Sequence, residues 1–421
     1  MDILNHSWDS MRIKHLFEER VEKNSDSKND YLSIVKDVGV IPYSEKGNVG
    51  NKTSDNPEKY KRVYPDDLVI NPMNVMIGSV GISNHSGCLS NVYMVLKPKI
   101  QFYPQYYGYL FQIKSFQKSL RKISYGIMEI RESINKIEFF GLELPYPPLS
   151  EQQQIVSFLD TKTSLIDSLI EKTQRKIELL KEKRTSIINE VVTKGLNPNV
   201  EMKESGLEWI GEIPSHWDRS RLDFLFRLYG RLGWKSLKSD EYVEEGYIFL
   251  STPNIKNKEI DYENVNYITK ERYDESPEIM LQNGDVLLVK DGSTLGIVNI
   301  VEDLPRPSTV NSSIGVLKKR SDSILSKFMY YHLSSYYHQN IINRIKGGMG
   351  VPHLFQSDIK KFNVLLPPIC EQQQIVSYLD EQTHLIDNTI SIEEKRIELL
   401  KEYRQSLISE VVTGKLKVTT D

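Results

Sequence analysis

Asn71-Pro-Met-Asn74 begins like the Asn-Pro-Pro-Tyr element with which amino-methyltransferases grip an extruded base, and Pro65-Asp66-Asp67 begins like a nuclease carboxylate cluster. Neither is completed. Met73 and Asn74 break the first pattern, and no suitably placed Glu-x-Lys follows the acidic pair. The sequence has no Gly-x-x-x-x-Gly-Lys-Ser/Thr phosphate cradle, which excludes an ATP motor of that type. The 8 histidines show no metal-ligand spacing and none stands beside a candidate nucleophile. His85, His332, His338 and His353 therefore read as structural or surface residues. Gly347-Gly-Met-Gly350 follows Ile345-Lys346 rather than a clear strand, so it reads as a bend near a ligand or domain junction and not as a nucleotide fingerprint. Cys88 and Cys370, far apart and without nearby His or Cys, read as ordinary buried thiols. These patterns point to a chain that binds and positions, with no catalytic residue and no metal site of its own.

The elements that must do the positioning are set by an internal repeat. Leu149-Ser-Glu-Gln-Gln-Gln-Ile-Val-Ser-Phe-Leu-Asp160 returns as Ile369-Cys-Glu-Gln-Gln-Gln-Ile-Val-Ser-Tyr-Leu-Asp380, a shift of 220, and the match runs without a gap to Glu190-Val-Val-Thr193 and Glu410-Val-Val-Thr413. Of the 45 positions from 149 to 193, 27 are identical to their partners. A fainter match, Trp8-Asp-Ser-Met-Arg against Trp217-Asp-Arg-Ser-Arg, opens each half. In the repeated segment Ile166, Ile170, Thr173, Ile177, Leu180, Arg184, Ile187 and Val191 recur in steps of four and three, as do Ile386, Ile390, Glu393, Ile397, Leu400, Arg404, Leu407 and Val411. That spacing places one stripe along a long helix. Pro147-Pro148 and Pro367-Pro368 bar a helix from running in, Ser150 or Cys370 precedes the first turn, and Gly195 and Gly414 end the pattern. About 43 residues at 1.5 Å each give roughly 65 Å, longer than a globular domain needs. Two matched stripes can satisfy each other as an antiparallel pair, with the polar positions fixing register. The helix-pair interface is expected at Ile166, Ile170, Ile177, Leu180, Ile187, Val191, Ile386, Ile390, Ile397, Leu400, Leu407 and Val411.

The segments between are β-rich. Residues 67–71, 91–96, 247–251, 285–290 and 297–301 are short apolar, β-branched runs punctuated by glycine, and 106–120 and 326–342 read as shorter helices. The fold class is α+β: two mixed β-rich segments joined by two long antiparallel helices forming a coiled coil. The expected division is 1–145, first variable domain; 146–195, first long helix; 196–216, linker; 217–366, second variable domain; 367–415, second long helix; 416–421, tail.

A net charge of -3 argues against a protein that coats nucleic acid nonspecifically. Lys and Arg stand against Asp and Glu at 19 to 17 over 1–149, 19 to 18 over 220–365, and 4 to 9 over 370–413. DNA would therefore meet local basic loops on the variable segments. The opening Met1-Asp-Ile-Leu-Asn-His-Ser-Trp8 lacks a secretory pattern and no apolar run approaches a membrane span, so the expected location is cytoplasmic.

The combination of Pro-Pro, Glu-Gln-Gln-Gln-Ile-Val-Ser-(Phe/Tyr)-Leu-Asp, Ile-Glu-Leu-Leu-Lys-Glu and Glu-Val-Val-Thr after each variable segment resembles type I restriction-modification specificity subunits along the whole chain. Glu208-Trp-Ile-Gly-Glu-Ile-Pro-Ser-His-Trp217 is similar to the start of such a subunit's second half, and Gly284-Asp-Val-Leu-Leu-Val-Lys-Asp-Gly-Ser293 to its target recognition domain. The resemblance implies two target recognition domains, each reading one half of a bipartite asymmetric site in double-stranded DNA, held apart by the helices. It also implies two modification subunits with S-adenosylmethionine that methylate adenine at N6, and two restriction subunits using ATP and Mg. No cofactor is expected in this chain. Family readers vary, so contacts are chosen by chemistry: cations for phosphates, amides, hydroxyls or aromatics for bases. In the first half these are Lys46, Asn48, Asn51, Lys52, Lys61 and Arg62. In the second they are Arg231, Trp234, Lys235, Asn254, Lys256, Lys290, Ser293, Thr294, Arg344 and Lys346. The other reading is a structural adaptor whose helices join protein subunits without direct DNA reading.

Overall fold

A computed structural model describes residues 8–24, 30–47, 59–125, 133–231, 237–256, 258–346 and 353–418. It falls into two compact units that do not follow chain order: residues 1–175 with 393–421, and residues 176–392. Both long helices, Leu149–Lys194 and Ile369–Val412, pass from one unit into the other.

The first unit is built on an antiparallel four-stranded sheet in the order Phe17–Glu19, Met94–Pro98, Leu68–Ile70, Val80–Ile82. Leu68 and Ile70 face the core under the helices and Val69 faces a second core with Leu32, Ile34 and Val63. A strand covered on both faces is apolar at every position, which is why 68–70 shows no alternation. The second unit repeats the plan with Phe226–Tyr229, Ile314–Lys319, Val286–Val289 and Val298–Ile300, where Val286 and Leu288 enter one core and Leu287 and Val289 another. A three-stranded sheet, Asn266–Ile268, Tyr247–Leu250, Ser308–Val310, covers that second core. The expected short helices are each broken in two, Pro104–Gln112 with Lys114–Ser119 and Ser326–Ser334 with Tyr336–Lys346.

Each variable segment is closed by its own ends. Asp9–Arg12 pairs with Glu143–Tyr146, and Asp218–Arg221 with Asn363–Leu366. The closing strand runs straight into Pro-Pro and the long helix. The helices begin at Leu149 and Ile369, two residues before the expected start, because the carbonyls of Pro148 and Pro368 already accept the first turn's amides. Ser150 and Cys370 thus lie inside the first turn, and Cys370 is exposed, a correction to its reading as a buried thiol; Cys88 is buried. Gly195 and Gly414 end the helices at φ 75° and 70°, a conformation that favours glycine. The linker carries a hairpin, Met202–Glu204 with Glu212–Pro214, whose Ile210 and Ile213 belong to the second unit's core.

The stripes are buried as the spacing requires. Ile166, Ile177, Val191, Ile386, Ile390, Ile397, Leu407 and Val411 are buried, and Ile170, Leu180, Ile187 and Leu400 half-buried. In the first unit Arg404 donates two hydrogen bonds to Asp167, at 2.9 and 3.2 Å; in the second Arg184 donates to Asp387 at 3.2 Å. The position rises along one helix as it falls along the other, the register of an antiparallel pair. The two arginines that interrupt the stripes therefore each hold an aspartate of the opposite helix. Among the described residues no helix is long and apolar enough to cross a membrane.

Candidate nucleic-acid interface

In the first unit Lys61 and Arg62 lie on one strand of the two-stranded pair Lys61–Val63 and Gly87–Leu89, and Lys46 follows the turn that begins at Tyr43. Tyr43, at the turn before Lys46, donates its amide to Tyr31, whose ring lies 5.8 Å from that of Tyr60. The Lys46 ammonium sits 4.4 Å over the Tyr43 ring, Lys61 bonds Glu19 and the Tyr93 carbonyl, and Arg62 bonds Asn24 at 3.2 Å. Asn48, Asn51 and Lys52 lie outside the described residues.

In the second unit the selected residues divide by environment. The Arg231 side chain has no exposure, donates to the Arg272 carbonyl and lies 3.8 Å from Glu275. Burial lowers its pKa from the usual guanidinium value. Asn254 is buried and ties a turn, accepting from Ser251 and donating to the Asn264 carbonyl. Lys256 is half exposed and paired with Asp261. The Arg344 guanidinium stacks 3.6 Å over Trp209. Ser293 is exposed and Thr294 half-buried on the turn after the strand that ends at Val289, and Lys290 is buried where that strand ends. Gln339, on the helix that carries Arg344, donates to the Gly296 carbonyl, which holds that helix beside this turn. Trp234 and Lys235 lie outside the described residues, as does the side chain of Lys346.

A second set of residues fixes each variable domain to its long helix, and sequence reasoning assigned none of them a role. Trp8 donates to Glu151 at 2.8 Å, and Trp217 to Glu371 at 3.0 Å. Buried Gln152 accepts from the Tyr103 amide and donates to the Pro147 carbonyl; buried Gln372 accepts from the Leu325 amide and donates to the Pro367 carbonyl. The Tyr109 hydroxyl bonds Asp160 at 2.6 Å and Thr163 at 3.3 Å, and the Tyr331 hydroxyl bonds Asp380 at 2.6 Å and Thr383 at 3.2 Å. The repeated Glu-Gln, Asp and Thr are thus the helix side of one clasp made twice. The available signal was polar identity at matched helix positions that the apolar stripe does not explain.

His332 and His338, fully buried in the second unit, confirm the structural reading of those histidines. The Leu365 amide donates to His332 Nε2 at 3.0 Å, and the two rings meet at 3.1 Å. Burial holds both below the ordinary imidazole value, His338 at about 4. The unfolded chain titrates near 6.5, so on acidification it takes up protons first. The second unit should be fully stabilised above pH 6.5 and weaken as pH falls from there toward 4. By pH 5 the loss from His338 should be on the order of 2 kcal/mol, since one pKa unit corresponds to about 1.4 kcal/mol, and His332 acts in the same direction. Denaturant melts at pH 7 and pH 5 would check this: His338→Phe should flatten the profile, and an unchanged slope would refute the assignment. Among the described residues no group of three His, Cys, Asp or Glu could hold a metal.

Comparison with known proteins agrees with this architecture. The chain matches the family model described as type I restriction modification DNA specificity domain twice, over residues 5–179 and 214–402. It is 25% identical over 372 residues to the type I restriction enzyme MjaVIII specificity subunit of Methanocaldococcus jannaschii, covering 86% of this chain and 83% of that one. With the EcoBI specificity subunit of Escherichia coli it shares 22% over 401 residues, 93% and 81% of the two chains. Among solved structures, a chain from work on complex assembly and conformational transition of the type I R-M system aligns with a TM-score of 0.74 at 16% identity, over 98% of this chain and 99% of that one. The HsdS subunit from Thermoanaerobacter tengcongensis aligns at 0.55 and 17%, over 98% of each. With both halves matched and the same clasp made in each, the chain belongs to the type I restriction modification DNA specificity family.

Proposed function

We propose that this chain gives a type I complex its address: each variable domain reads one half of a bipartite asymmetric DNA site, and the helix pair sets the spacer and docks two modification subunits. Specificity subunits of this family are non-catalytic. The observation that carries the reading is the duplication of one reader with one clasp, since two similar readers fixed at matching points of a helix pair suit two half-sites at a set distance. The outer helix faces support the docking. Leu165, Leu169 and Leu179 on the first helix and Leu385, Ile392, Leu399 and Tyr403 on the second are exposed, with Leu165/Leu385 and Leu179/Leu399 in matching places. Exposed apolar residues in a repeating row mark a protein contact, and two equivalent rows suit two equal partners. S-adenosylmethionine would sit in those partners and methylate adenine at N6, and ATP and Mg would serve two restriction subunits.

Replacing residues 18–140 with the corresponding segment of another specificity subunit should change one half of the methylated motif and leave the other half and the spacer intact. Methylation mapping of cells that carry the chimaera with its modification subunit reads this directly. A motif altered in both halves would count against independent readers. Loss of any salt-dependent, sequence-specific DNA binding by the assembled wild-type complex would favour the adaptor reading instead.

A further inference from the structure

Lys290 stands where the strand Val286–Val289 ends, and only 5% of the residue is exposed. Its ammonium has no hydrogen-bond or ion-pair partner among the described residues, and burial pulls its pKa down from the usual value. The neighbouring Asp291 carboxylate is bonded to His353. Two glycines leave room over the lysine. A β-carbon on Gly315 would stand 3.4 Å from Lys290 Cδ, and one on Gly230 would stand 3.4 Å from Lys290 Nζ and 2.9 Å from Gln356 Nε2. Gln356 Nε2 is likewise without a partner among the described residues. Two donors without a hydrogen-bond partner in the fold thus converge on a half-buried glycine.

The first unit shows that the fold does not require this arrangement. Leu317 pairs with Leu228 and Val286, as Leu96 pairs with Glu19 and Leu68. That register makes Pro72, Val21 and Met94 the counterparts of Lys290, Gly230 and Gly315. The second unit departs from the common plan at all three positions, toward space and charge. A lysine enclosed along its stem, with no fold partner for its charge beyond the attraction of Asp291, gives the fold little, so its presence indicates a use outside folding.

We infer that Lys290 and Gln356, over the Gly230–Gly315 cradle, determine specificity in the second domain by reading the two acceptors of a guanine in the major groove. This rests on the proposed reading of one half-site by that domain. Guanine presents O6 and N7 as adjacent acceptors, the pattern that two converging donors match. A phosphate oxygen offers the same acceptor chemistry, but lysines that only neutralise phosphate work as mobile, hydrated charges, whereas the Lys290 stem is enclosed and holds its charge in one place.

The test uses the chain assembled with its modification subunits and duplexes carrying each base at every half-site position. The wild-type motif alone decides whether the second domain reads a half-site. Within that motif a G·C pair is expected at one position of its half, and its absence would overturn the inference. Lys290→Met should relax discrimination at that pair by roughly 5- to 150-fold, the range of one good base contact, with the other half unchanged and with thermal stability equal to or above wild type. A uniform loss on all sequences, with the salt slope reduced by about one, would mean a phosphate contact and overturn base reading. An unchanged motif at unchanged rate would overturn it too. Should Lys290→Met fail to fold, Gly230→Ala decides: it keeps the charge and fills the cradle, so it should relax the same position, and an intact preference there would refute the site.

Discussion

Trp217→Ala should destabilise the second unit by about 3–5 kcal/mol, the cost of deleting a large side chain from a packed core, while Trp8→Ala should cost only about 1 kcal/mol. The two tryptophans open their halves in the same way and make the same bond to a helix glutamate, yet their surroundings differ. Trp217 is completely buried, among a core that includes Ile188, Val191 and Val192 late in the first helix, Ile375 and Leu379 early in the second, and Ile210 and Ile213 of the linker hairpin. Trp8 is half-buried, and its bond to Glu151 is exposed. Trp217→Phe should keep most of the packing and lose about 1 kcal/mol with the indole bond. Denaturant unfolding of the three variants measures the costs. Equal losses for Trp8→Ala and Trp217→Ala would show that the duplicated clasps bear equal weight.

Lengthening both helices should lengthen the preferred DNA spacer, in steps set by the helical repeat. The place of insertion matters: Gly195, which ends the first helix, lies beside Trp217 and Glu371, where a β-carbon would stand 3.1 Å and 2.8 Å from them. An insertion there would pull the clasp apart and leave the crossing between units untouched. The helices cross after Arg175 and after Ile392, so a heptad belongs at both places, which keeps the stripes in phase. One heptad adds about 10.5 Å, equal to about three base pairs. Three pairs also turn the second half-site by about 100° around the DNA, so methylation should fall on every spacer. Three heptads add about 31 Å, close to the 34–36 Å of one DNA turn. That variant should methylate sites whose spacer is longer by about nine or ten pairs, with both half-site sequences unchanged. An optimum left at the original spacer would show that the helices do not set the distance.

The parts legible in the sequence were those in which one interaction dominates a run of residues. The stripe from Ile166 to Val191, its copy, and the Pro-Pro and glycine stops located the helices to within two residues because burial and backbone geometry act there alone. The run 285–290 was recognisable as a strand for the same reason. Reading loops were less legible, since a cation or amide is selected equally by solvent, a fold contact or a ligand. Arg231 and Asn254 serve the fold's own turns, and Lys290 differs from them only in lacking a partner, which no spacing reveals. The clasp was hidden because Tyr109 and Asp160, or Trp217 and Glu371, are joined only after the segment between them has folded. The division into units was equally hidden, since periodicity does not tell which half of a helix packs with which domain.

That division sets an order of events during synthesis. The first reader's core includes Leu407, Ile408, Val411 and Val412, which leave the ribosome more than two hundred residues after Arg175. At about 5–20 residues per second, roughly 12–46 s separate the two. Throughout that interval the nascent first domain carries an open apolar face, while the second, contained within 176–392, can close on its own. The domain translated first is therefore the one completed last, and the burden of protecting an unfinished chain falls on the amino-terminal reader.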